Sequence, residues 1–105
     1  MAYDQELAER IRALLAGQAG ITEKKMFGGL AFLIHGNMAV AASGQGGMLV
    51  RVDPAESDAL VASGKASLME MGGRTMRGWL RVEPGRELES WVERGTAYAR
   101  SLPAK

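Results

Sequence analysis

The chain contains no cysteine. Disulfides, thiol nucleophiles and thiolate zinc sites are therefore excluded by inventory. It contains one histidine, His35. A zinc site of the enzyme kind needs more imidazole or thiolate ligands than that. Proline is scarce, at three residues, and each stands where an element should start or stop. No apolar run approaches the roughly 20 residues a membrane-spanning helix needs; the most apolar stretch is Leu30 to Ile34. Met1 to Gln5 carries no basic segment followed by an apolar run, so no signal peptide is expected. An excess of one charge is lacking too. Thirteen Lys and Arg face twelve Asp and Glu, a net charge of +1. Bulk charge thus does not announce nucleic-acid binding, and a local patch would have to carry it. The absent cysteines fit a reducing compartment, and a cytoplasmic location is expected.

What is present fits one globular domain over residues 1–105. The hydrophobic fraction is 47% and the charged fraction 24%, both ordinary values. Glycine is abundant, at 14 residues, and spread between apolar runs. That spread reads as many tight turns, hence several short strands.

Leu7, Ile11, Leu14 and Leu15 form one apolar stripe of a first helix, with Asp4 as its N-cap and Gly17 as its stop. Residues Thr22 to Phe27 read as extended. Leu30 to Ile34 is a continuous apolar run, as expected of a strand covered on both faces. His35-Gly36-Asn37 reads as a turn, Met38 to Ala42 as the returning strand and Met48 to Val52 as the next. Connections this short require an antiparallel meander. Asp53-Pro54 starts a short helix over Ala55 to Ala62. Leu68 to Met71 and Met76 to Val82 are two more strands. In the second, Met76, Gly78, Leu80 and Val82 alternate with Arg77, Trp79 and Arg81. A last helix is expected from about Arg86 to Leu102, with Leu88, Trp91, Val92, Tyr98, Ala99 and Leu102 on its apolar face. The fold class is α+β, with an antiparallel sheet packed against helices.

Candidate chemistry is thin. His35 could serve as a general base at neutral pH, but it sits in a turn with no acid nearby in sequence. Gly44-Gln45-Gly46-Gly47 fits a GxxG pattern. Loops of that pattern that clamp nucleic acid join two helices, and this one joins two strands. Lys24 and Lys25 are adjacent in an extended segment, so they point to opposite faces. The constellation with most content is Arg77, Trp79 and Arg81 on one strand face, joined by Arg51. Such a face could stack bases and bind phosphates. Alternatively, a helix covers it, Trp79 is core and the arginines reach its rim.

Four blocks of sequence resemble a known family. They are Glu23-Lys24-Lys25-Met26-Phe27-Gly28-Gly29-Leu30-Ala31-Phe32, Gly36-Asn37-Met38-Ala39, Leu49-Val50-Arg51-Val52 and Met76-Arg77-Gly78-Trp79-Leu80. In order and over nearly the whole chain, they resemble the N-terminal domain of the TfoX/Sxy regulators of bacterial competence. The resemblance implies an α-β(3)-α-β(2)-α fold similar to type III secretion chaperones. It also implies a stand-alone domain without the regulators' C-terminal half, and it carries over no catalytic residue. The expectation is a non-enzymatic regulatory or protein-interaction domain, with no cofactor, no metal and no membrane partner. Its partner would be a protein, or a second copy in a homodimer. The alternative is a nucleic-acid-binding accessory domain using Arg51, Arg77, Trp79 and Arg81.

Overall fold

The structure, a computed structural model, describes residues 4–26, 29–44, 47–64, 66–71, 73–83 and 85–103, with the backbone alone at Met26, Met71, Met76 and Arg77. Helix α1 (Gln5–Leu15) begins where the Leu7 amide donates to the Asp4 carboxylate at 3.1 Å. This satisfies one of the orphan donors of the first turn. Its apolar stripe is buried at Leu7, Ala8, Ile11 and Leu15. The chain leaves the helix through Gly17, at φ +88°.

Four strands follow: β1 (Ile21–Met26), β2 (Gly29–Ile34), β3 (Asn37–Ala42) and β4 (Met48–Arg51). They pair antiparallel in sequence order. The meander therefore has one strand more than the β(3) expected, because the segment expected only to be extended pairs from Ile21 to Met26; Phe27 lies outside the described residues. Its register runs from Ile21 opposite Ile34 to Met26 opposite Gly29. His35 and Gly36, at φ +50° and +85°, make a two-residue turn between Ile34 and Asn37. Two consecutive positive φ values match the right-handed twist of a hairpin.

Helix α2 (Pro54–Ala62) carries the chain over the sheet to the far edge, where β5 (Ser67–Met71) lies. Strand β6 (Arg74–Val82) then returns between β4 and β5, giving the order β1-β2-β3-β4-β6-β5. A 3₁₀ turn (Gly85–Glu87) precedes α3 (Leu88–Ser101), which begins two residues later than expected.

All three helices pack on one face of the sheet. The main core joins Leu7, Ile11 and Leu15 of α1 and Leu88, Trp91 and Val92 of α3 to Phe32, Val40, Val50, Leu80 and Val82. Leu60 and Val61 of α2 pack against its margin. The opposite face has a second, smaller cluster of Ala31, Met38, Ala41, Leu49 and Met69, against which Leu33 and Trp79 pack half-buried. This explains the unbroken apolar run of β2: the strand is covered on both sides.

Two register shifts bend the sheet. In β3, Val40 lies opposite Phe32 and Met38 opposite Leu33, so Ala39 is an extra residue. Such a bulge kinks its strand and strengthens the local twist. Ala39 joins Val40 on the helix side, beneath Ala99 of α3. In β6, Leu80 lies opposite Leu68 but Met76 opposite Met69. The expected alternation therefore holds for Trp79 to Val82 and is interrupted before it.

Candidate functional site

Residues directly opposite in neighbouring strands share a face of the sheet, so the register places each candidate. Arg51 lies opposite Trp79, and Arg81 opposite Leu49. Trp79 and Leu49 both belong to the cluster on the helix-free face. Three of the four sequence candidates, Arg51, Trp79 and Arg81, are thereby brought to one surface. The side chain of the fourth, Arg77, lies outside the described residues. Neither version of the face read from sequence describes it: none of the described helices covers it, and Trp79 packs against the second cluster rather than standing free.

The guanidinium of Arg51 lies 5.0 Å from the centre of the Trp79 ring and 5.7 Å from that of Tyr98. The two rings come from opposite sides. Trp79 belongs to the helix-free face, and Tyr98 to α3. Arg51 is the last residue of β4, where the strand gives way to the approach to α2, and from that end it reaches both. A guanidinium over aromatic rings gains cation–π attraction of about 0.5–2 kcal/mol. Its planar N–H donors remain in the plane of the group. Among the described residues no carboxylate pairs with Arg51. The neighbouring acids are engaged elsewhere: Asp53 accepts from the Ala55 amide at 2.9 Å, and Glu56 pairs with Arg94 at 2.8 Å. Arg81 is half-buried and donates to the Ser43 hydroxyl at 3.2 Å.

The described strand acids fall on the helix side of the sheet. Lys24 lies opposite Ala31 and so joins Arg51 and Arg81 on the helix-free side. Glu23 lies opposite Phe32 of the main core, and Glu70 alternates with Met69. Glu23 is held there by Arg12 of α1, through bonds of 2.7 and 2.8 Å. That bidentate hydrogen bond keeps its carboxyl below the ordinary range. Lys24 and Lys25 do diverge, since Lys25 lies opposite Leu30 of the main core.

The remaining candidates separate. His35 is exposed in its turn; its amide donates to the Gly20 carbonyl at 3.0 Å, and its ring lies beside Gly20. Gln45 and Gly46 of the GxxG segment lie outside the described residues. A shallow cleft of about 550 Å³ between α2 and α3 is lined by Asp53, Glu56, Ser90, Glu93, Arg94 and Tyr98. Among the described residues no three His, Asp or Glu side chains gather as metal ligands. No described helix is long and apolar enough to cross a membrane. Sequence reasoning placed Tyr98 on the core face of α3 and missed its contact with Arg51. No local pattern reports it, because the two residues stand 47 positions apart.

The geometry defines an α+β domain in which one antiparallel sheet carries helices on one face and a cation-bearing apolar cluster on the other. The chain belongs to the family of the TfoX N-terminal domain, whose model matches residues 13–99. That span reaches from within α1 to within α3. No curated protein and no solved structure matches the chain.

Proposed function

We propose that the chain is a non-enzymatic, cytoplasmic regulatory domain of the competence-regulator kind, acting by binding a protein. The observation that carries this reading is the helix-free face. It holds half-exposed Leu33 and Trp79 over a closed apolar floor, with Arg51 and Arg81 beside them. Apolar surface bordered by arginines and aromatics is the composition of protein-binding surfaces. The test is site-specific photo-crosslinking in the native host. A photoreactive residue replacing Leu33 should trap a discrete protein, and one replacing Glu89 on the exposed side of α3 should not. Equal labelling at both positions would overturn the reading. Binding of a second copy is one form of it, checked by light scattering across a concentration series.

The cations on this face favour a second reading, an accessory domain for nucleic acid. It requires affinity that falls steeply as salt rises. Absence of binding to short single-stranded and duplex probes at low salt eliminates it.

A further inference from the structure

The charge on the helix-free face specifies its partner more narrowly, given that this face is the binding surface. Lys24, Ala31, Ala41, Leu49 and Arg81 lie opposite one another in turn across five adjacent strands. Four strand spacings separate the two cations, about 19 Å. Between them the floor is closed, with Ala31 0% and Leu49 2% exposed. Among the described residues of this cluster, the half-open apolar side chains are Leu33 and Trp79. Glu23, next to Lys24, lies on the other face, and Glu83, two residues beyond Arg81, has its carboxylate beside Gly47. That is the opposite end of the face from Arg51.

Arg51 is the distinctive element. Long side chains lose rotamer freedom when they bind. The Trp79 and Tyr98 rings already restrict this one, so that loss is largely incurred before any ligand arrives. The two ring centres lie 5.0 and 5.7 Å from its central carbon, and attraction to a ring leaves the group its N–H fork, the geometry that matches a carboxylate. We propose that Arg51 anchors a carboxylate of an acidic partner-protein segment, whose apolar side chains rest on Leu33 and Trp79.

Two other occupants fit less well. A second copy docked face to face by a twofold axis would set Lys24, Arg51 and Arg81 against the same cations. Single-stranded nucleic acid needs an open ring on which to stack. Trp79 has Arg51 over it and packs against the apolar cluster.

The experiment is selection of a random 12-residue peptide library on the intact domain and on Arg51→Gln, followed by synthesis of the leading peptides. The binding site is mapped from amide and arginine Nε–H shifts in NMR. Selected peptides should be enriched in Asp and Glu spaced by aliphatic residues, and should shift Leu33, Trp79 and the Arg51 Nε–H. Arg51→Gln should weaken them about tenfold or more, the scale of one charge-assisted bidentate contact. Glu89→Gln should leave them unchanged, and a folded amide spectrum for Arg51→Gln, with a melting point lowered by no more than the lost ring contacts account for, separates binding from stability. Neutral or basic peptides that map to Leu33 and Trp79 would overturn the acidic partner and leave the face standing. Peptides that map elsewhere would overturn both. A random single-stranded oligonucleotide that binds the face more tightly than every peptide would overturn the proposal in favour of nucleic acid.

Discussion

Gly95 of α3 lies so close to the bulged residue Ala39 that a Cβ built on it would stand 2.6 Å from the Ala39 carbonyl oxygen. The same atom would meet Val40 Cγ1 at 2.8 Å. In an exposed helix interior, replacing glycine by alanine gains about 1 kcal/mol. Here the nearest obstacle is backbone, which cannot rotate aside. Gly95→Ala should therefore destabilise the domain by about 1–3 kcal/mol, as overpacking does. Urea unfolding with an unchanged slope checks it.

The two tryptophans should differ. Trp91 is 5% exposed in the main core, whereas Trp79 is half-buried. Trp91→Ala should cost about 3–5 kcal/mol. Trp79→Ala removes less buried area and should cost about 1–3 kcal/mol. Equal losses in denaturant melts would show that the second cluster is as essential to the fold as the first.

The Arg12–Glu23 pair sets a pH dependence. The folded carboxyl titrates below its ordinary value of 4.5, through its hydrogen bond to Arg12. A depressed folded pKa gives stability that is present above the unfolded pKa and lost as pH falls through the folded one. The pair is partly solvated, so its contribution is about 0.2–1 kcal/mol. Arg12→Ala should return the Glu23 midpoint toward 4.5 in a carboxyl NMR titration. It should also flatten part of the stability loss below that pH.

Asn37 is 2% exposed, and its Nδ2 donates to the Pro103 carbonyl at 2.9 Å. Asn37→Ala removes that donor and should cost about 1–3 kcal/mol. Faster exchange of the Leu102 amide, bonded to the Ala99 carbonyl, would locate the loss at the end of α3.

Local pattern carried much of this fold. The stripe Leu7, Ile11, Leu15 and the cap Asp4 lie within one helix, and each reports on its own neighbours. The turn at His35-Gly36 is likewise a two-residue property. What was hidden depends on pairing between strands. The extra residue at Ala39 exists only relative to Phe32 and Leu33 opposite it. The close approach of Gly95 follows from that bulge and could not be read from α3 alone. The site divides in the same way. Alternation put Trp79 and Arg81 on one face, but the approach of Tyr98 to Arg51 required α3 to lie beside the end of β4.

The Asn37–Pro103 bond joins residues 66 positions apart, and its consequence concerns synthesis. Strands β1 to β4 pair with sequence neighbours and can form as soon as they leave the ribosome. The main core of these strands includes Leu88, Trp91 and Val92, which are translated after every strand of the sheet. Until α3 emerges, Val40 and Val50 lack these partners, and the nascent sheet presents an apolar side to its surroundings. The vulnerable stage in the life of this protein is therefore the interval between finishing β6 and finishing α3. A mutation that slows α3 docking should reduce the yield of folded protein more than its effect on equilibrium stability would suggest.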